Sequence, residues 1–433
     1  MVAMNYQIIE TTYPFEFRKN EAKKLGNFIN NRRSVVLTGM KRVGISNFLR
    51  FFLYHPGISK KYLDGRKHVF IPVDLNDLVE REIYPFWVLT FKRIADSVEK
   101  SELPPNIKKQ IEAYFLDSIQ SQDLFLTIEN LRKSLVYLTE NGFLPTIFFL
   151  RFDRIKEAIT HDFFANFQGL IDATHGKLSY VFTSERALDV LVPEVFTKQS
   201  VLVFADNLYI KPAEKQDTKI IFESSIKTNK LKFDSETSKE LLKFVDGHTQ
   251  YLLYGLISLS ENLNSITKKD LFNFLKNDER ISLQSEELWE SLYPEEQEIL
   301  LKVFNKEKLN QSEIKNAKYL INTGFFNLET FEIFSPIFES YVGAKSEEKK
   351  KEKNATELSK KEHALLSYLE INKDKVCERE EIIENVWPEA ESFGVTDWAI
   401  DRLIARLRAK MANLNKNYEI VTIKTRGYKL TEK

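Results

Sequence analysis

Near the end of the chain, apolar residues recur at Ile400, Leu403, Ile404, Leu407 and Met411, a spacing that predicts an amphipathic helix with one buried stripe. Thr396 or Asp397 can cap its first turn. The opposite face carries Trp398, Arg402, Arg406 and Ala409, flanked by Arg408 and Lys410, so a buried stripe would hold the helix down while cations point outward. After a polar break at Asn413 to Asn417 come two short extended runs, Glu419 to Ile423 and Gly427 to Leu430. Lys424, Thr425 and Arg426 lie at the bend between them, which predicts a hairpin tipped with two cations. Near the start, a charged amphipathic pattern from Phe15 to Asn31 leads into the β-branched run Ser34 to Thr38, with the character of a buried strand, and then into a glycine-bounded loop and the apolar helix Asn47 to Tyr54. Further strands are predicted at Val69 to Asp74, Pro145 to Asp153 and Leu178 to Arg186. Helices are predicted around Tyr84 to Glu99, Ile107 to Ser118 and Leu124 to Glu140.

A basic helix followed by a cationic hairpin is the layout of a winged helix-turn-helix, in which the helix enters the major groove and the wing reaches along the backbone. From Leu358 onward the segments LSKKEHALLSYL, EREEIIENVW, VTDWAIDRLIARLRAKM and IVTIKTRGYKL closely resemble, in order and spacing, the OmpR class of response-regulator DNA-binding domains. The resemblance implies that Arg406, Arg408, Lys424 and Thr422 touch DNA. The outward face and the bend add Trp398, Arg402, Lys410 and Arg426 as candidates. Thr425 stands where the family usually has a wing glycine. The plainer alternative is a basic surface helix on a protein-interaction module.

Lys+Arg and Asp+Glu both number 63, so attraction to nucleic acid has to be local rather than global. Local it is, because after Trp398 nine cations face only Asp401, Glu419 and Glu432 within the same segment. Cys377 is the only cysteine, which excludes an intrachain disulfide framework and a multi-cysteine metal site. The six histidines are isolated from one another in sequence. Apolar runs are too short to span a bilayer and the N-terminus lacks the sections of a signal peptide, so a cytoplasmic protein with no membrane partner is expected.

The loop GMKRVGIS, Gly39 to Ser46, sits between a strand and a helix, as does the phosphate-binding P-loop G-x-x-x-x-G-K-[ST]. Gly39, Gly44 and Ser46 are in register, but Ile45 holds the place of the lysine; Lys41 and Arg42 are the cations near enough to substitute. The run ending in Asp153 resembles a Walker B motif whose acid would hold magnesium, and Arg154 follows where a second acid is usual. Leu178 to Arg186 resembles sensor 1, and the Gly247-His248 turn resembles one found in STAND and origin-recognition AAA+ ATPases. These resemblances imply a degenerate nucleotide site of Gly39, Lys41, Gly44, Ser46 and Asp153. Ser46 and Asp153 would serve as metal ligands only if magnesium-nucleotide binds. The one cofactor these resemblances imply is ATP with magnesium, bound weakly.

The expected architecture is a multidomain α/β chain, with a P-loop ATPase-like parallel-sheet domain followed by two winged helices. The ATPase-like domain should span 14–280, a small winged helix 284–343, a charged linker 344–357 and the DNA-binding winged helix 358–433. The function expected is a sequence-specific DNA-binding transcriptional regulator, a homo-oligomer on double-stranded DNA, with an ATPase-derived sensor and oligomerisation module that has lost or weakened nucleotide hydrolysis. The alternative is a nucleotide-dependent STAND or AAA+ switch ATPase acting on DNA.

Overall fold

The structure, a computed structural model, describes residues 8–196, 204–262, 270–352, 358–388, 395–413, 418–424 and 426–432. The chain divides into two compact units. One runs to Lys227 and takes in Asn322–Gly324; the other comprises Thr228–Ile321 and the chain from Phe325. The division falls some fifty residues before the boundary expected near residue 280.

The first unit is built on a parallel sheet of β1 (Ser34–Gly39), β2 (Lys67–Asp74), β3 (Phe143–Leu150), β4 (Ser179–Ser184) and β5 (Ala205–Ile210), in spatial order β2-β3-β4-β1-β5. β1 and β4 are buried throughout, as strands covered on both faces must be, and this is why they read as continuous apolar runs. Helices Ile83–Lys100, Pro105–Ser121 and Leu124–Glu140 occupy their expected positions between β2 and β3. An aromatic cluster of Phe86, Trp87, Phe149, Phe163, Phe167, Tyr180 and Phe182 fills the core beside the sheet. Tyr180 keeps its buried hydroxyl satisfied by donating to the Phe167 carbonyl at 3.0 Å.

Two strands differ from expectation. β5 has no counterpart in the sequence reading, because Asp206 and Asn207 interrupt its apolar pattern; as an edge strand it buries only Ala205, Leu208 and Ile210. β3 ends at Leu150, not at Asp153. Arg151 adopts a left-handed conformation (φ 60°), which breaks the strand and starts a 3-10 helix at Phe152–Ala158.

In the second unit the helices Ser235–Val245, Thr249–Glu261, Leu271–Asn277, Glu279–Glu290 and Pro294–Phe304 precede a small helical element. Where a small winged helix is expected, this element has the short helices Gln311–Asn316 and Lys318–Thr323 and, in place of a wing hairpin, one bridge, Phe326 to Ile333. The charged linker, expected from Ala344 as an exposed tether or a fraying helix, begins as the continuation of a helix, Pro336–Glu352. Residues 353–357 lie outside the described ones.

The C-terminal module consists of helices Lys360–Ile371, Arg379–Val386 and Asp397–Asn413, with β6 (Cys377–Glu378), β7 (Tyr418–Ile423) and β8 (Gly427–Glu432) in an antiparallel sheet ordered β6-β8-β7. Ser359 and Glu362 close a reciprocal capping box on its first helix. Ile400, Leu403, Ile404, Leu407 and Met411 are buried against Leu365, Leu369, Ile382, Tyr428 and Leu430. Cys377 is buried and free, as expected of a small core residue. Three helices and a wing are the elements of a winged helix.

Candidate nucleic-acid interface and phosphate loop

The apolar stripe of Asp397–Asn413 fixes which way its cations point. Arg402 and Arg406, one turn apart, lie on the side away from Leu403 and Leu407 and remain partly exposed. Trp398 differs from expectation: it is half-buried and packs on the apolar core, so it supports the helix start instead of projecting from it. Arg408 turns toward the hairpin. Its Nε donates to the Ile420 carbonyl at 2.8 Å and its Nη2 to Thr422 Oγ1 at 2.9 Å, so two candidate DNA contacts are tied to each other. Lys410 pairs with Glu362 at 2.6 Å. Burial pushes the Glu362 carboxyl up, but hydrogen bonds from Lys410 and Ser359 outweigh it and leave the group below its usual range. On the wing, Lys424 is exposed, and Arg426 pairs with Glu378 at 3.2 Å. Thr425 lies outside the described residues.

The acids that answer these cations come from distant segments and were missed in the sequence reading. Arg402 pairs with Glu290 and Arg406 with Glu286, both on the helix Glu279–Glu290. No local signal pairs residues more than a hundred positions apart. Arg379 holds the other side of the helix through Asp401 at 2.6 Å, and stacks on Tyr428.

The phosphate loop begins where β1 ends. Gly39 is held by close approach of the neighbouring strand, since a Cβ there would stand 2.7 Å from the Ile210 carbonyl oxygen. Gly44 takes φ 108°, a conformation that L side chains rarely adopt, and turns the chain into the helix Ile45–Tyr54. Both glycines thus have backbone reasons to be glycine that need no ligand. Beneath the loop lies Arg18, 1% exposed, its guanidinium donating to the carbonyls of Lys211 at 3.0 Å and Val43 at 3.4 Å and to Glu21 at 3.2 Å. Burial lowers its pKa, and Glu21 and Asp217 raise it in part. Nothing in the pattern before the first helix marks Arg18 as an internal brace.

The residues present do not fit a magnesium-bound triphosphate. Ile45 holds the loop position where a phosphate-binding lysine would be needed, its Cδ1 standing 3.3 Å from where a Cβ on Gly39 would lie, and an apolar group beside phosphate oxygens offers no donor. Lys41 is engaged by Glu185 at 3.2 Å, and Ser46 is exposed in the first helical turn. The residues that follow the end of β3 are Arg151 and Phe152, so a cation stands where a metal-binding acid would be expected, and Arg151 pairs with Asp74 at the end of β2. Asp153 is displaced into the 3-10 helix, half-buried, with its pKa pushed up to about 6 first by burial and then by the charge of Glu185. A cavity of about 630 Å³ opens beside Ile45 and Ser46, lined also by Arg50, Asp74, Arg93 and Arg151.

Residues 352–430 match the family described as transcriptional regulatory protein, C terminal. The C-terminal module is a winged-helix DNA-binding domain of the transcriptional-regulator type. A comparison with curated proteins finds no match. Among solved structures, similar chains include a Walker-type ATPase of Pyrococcus abyssi, 16% identical, covering 76% of this chain and 96% of its own, with a TM-score of 0.48. The ORC2 protein of Aeropyrum pernix is 11% identical and covers 79% of this chain and 98% of its own, with a TM-score of 0.48. The ORC1 protein of the same organism, in complex with DNA, is 10% identical and covers 98% of this chain and 90% of its own, with a TM-score of 0.38. Likenesses of this degree carry no functional information. Among the described residues no helix is long and apolar enough to cross a membrane.

Proposed function

We propose that this protein is a sequence-specific regulator of transcription that binds double-stranded DNA through its C-terminal winged helix, with Arg402 and Arg406 entering the major groove and Lys424 and Arg426 following the backbone. The observation that carries this reading is the Asp397–Asn413 helix: its apolar side is locked into the module's core while two arginines one turn apart point away from that core and stay partly exposed, in a module of the transcriptional-regulator type. Guanidinium groups at that spacing suit the O6 and N7 edge of guanine and neighbouring phosphates. A cytoplasmic location is part of the same proposal.

The α/β unit supplies no catalytic step in this reading. Its loop is a structural remnant of a phosphate site that binds nucleotide weakly, and hydrolysis stays near background. An isolated winged helix reads a short half-site, so side-by-side copies of the chain on DNA are part of the proposal. Two measurements test it. Deleting residues 358–433 should abolish DNA binding, and light scattering on a long duplex should show more than one chain at saturation; unchanged binding after the deletion would remove the reading, and a single-copy complex would remove the assembly.

A further inference from the structure

The helix Glu279–Glu290 presents Glu279, Leu283, Glu286 and Glu290 at i, i+4, i+7 and i+11, one stripe along one face. Every member of that stripe meets the C-terminal module. Leu283 is buried in the same apolar cluster as Leu365, Ile400 and Leu403. Glu279 pairs with Lys361, Glu286 with Arg406 and Glu290 with Arg402. Two i,i+4 pairs of opposite sign therefore face each other across the helices. The contact is uneven: the Glu290 and Glu286 side chains are 8% and 16% exposed, while Arg402 and Arg406 remain 42% and 31% exposed.

Two acids one turn apart repel each other, and a partly dry contact made of charges is weak support compared with apolar packing. Burial pushes the Glu286 carboxyl up and the charge of Arg406 pulls it back. As a permanent seam the arrangement stabilises little. As a stand-in for an anionic partner, it supplies carboxylates to the arginines that would otherwise bind one.

We propose that this acidic stripe is an intramolecular occupant of the DNA-reading surface, with Glu286 and Glu290 holding the guanidinium groups that a duplex would engage, so that the chain closes its own reading helix. The inference rests on the proposed function, in which Arg402 and Arg406 meet DNA. The same donors cannot serve the carboxylates and a duplex at once, so DNA displaces the Glu279–Glu290 helix in order to bind. Apparent affinity is then reduced to the fraction of chains whose reading helix is open. Weakening the contact raises DNA affinity without touching a DNA-facing residue, and whatever moves the acidic helix sets the output of the C-terminal module.

The test uses the full chain and a fluorescently labelled random-sequence duplex, followed by anisotropy. Glu286→Gln/Glu290→Gln keeps side-chain shape and removes both charges. It should tighten binding by about tenfold or more, as expected when a closed population opens, and the gain should vanish when Arg402→Ala/Arg406→Ala is added. In a second arm, Glu279→Cys/Lys361→Cys is bridged by a short bismaleimide, Cys377 being buried; the bridged chain should bind more weakly than the same chain unbridged. If the carboxamide variant and the unaltered protein bind alike while Arg402→Ala/Arg406→Ala weakens both, the occupant idea is overturned and the proposed function stands. If binding is indifferent to both arginines in every variant, the proposed function fails and takes the inference with it. Should the carboxamide variant not fold, the bridged arm decides, and affinity unchanged by bridging overturns the inference.

Discussion

Arg408 donates through Nη2 to Thr422 Oγ1 at 2.9 Å, fastening the basic helix to the first strand of the wing. With the bond from its Nε to the Ile420 carbonyl, this makes Arg408 a pin between the basic helix and the hairpin. Hydrogen bonds to a charged group contribute roughly 1.5–3 kcal/mol each, and exposure of the Thr422 bond to water cuts its share, so Arg408→Ala should destabilise the chain by an amount on the order of 1–3 kcal/mol in urea denaturation. Lys424→Ala, at an exposed position, should leave stability within about 0.5 kcal/mol and weaken binding to all DNA sequences alike. A pair of variants with the opposite profile would mean that Arg408 serves DNA and not the hairpin.

Much of the C-terminal module was legible in the sequence because its helix period and hairpin are local patterns. The stripe at Ile400, Leu403, Ile404, Leu407 and Met411 is buried as its spacing requires. What local pattern could not give was the company of the cations: Arg402, Arg406 and Lys410 look unopposed within their own segment, yet Glu290, Glu286 and Glu362 reach them from far along the chain. The same limit applies to β3. The aromatic run up to Asp153 reads as uninterrupted strand, and the break comes from Arg151 taking a left-handed backbone conformation that its side chain does not advertise. Arg18, buried under the phosphate loop, was invisible because a charged residue before an amphipathic helix ordinarily faces water.

Ile45→Lys tests the phosphate loop. The lysine should tighten ATP binding by about ten- to a hundredfold if the Gly39 to Gly44 turn can still receive phosphate, the change expected from one charge-assisted hydrogen bond. Hydrolysis should stay at background, because Arg151 and Phe152 follow β3 where acids would be needed. Titration calorimetry with ATP and magnesium measures the first half, and phosphate release the second. Submicromolar binding by the unaltered protein would show that Lys41 or Arg42 has taken over the lysine's role.

Asp153 gives a pH dependence with a definite sign. Its folded pKa, about 6, lies above the ordinary carboxylate value of 3.8, so the folded chain binds this proton more readily than the unfolded chain. Stability from this group is therefore present at low pH and is lost as pH rises from about 4 to about 6. Asp153→Asn should stabilise the protein at neutral pH by roughly 1–3 kcal/mol, with the difference disappearing below about pH 4. Denaturant midpoints at several pH values check this. A variant less stable than the parent at neutral pH would mean that the charged carboxylate has a partner that holds it.

The most direct test of the central claim is selection of duplexes from a random pool by the full chain, followed by binding of the enriched sequence and its single-base variants to the parent and to Arg406→Ala. The account predicts one enriched motif. It also predicts a loss of roughly 1–3 kcal/mol of discrimination at a single base position in Arg406→Ala. Enrichment of no motif by the parent, or an unchanged motif and unchanged affinities with Arg406→Ala, would contradict it.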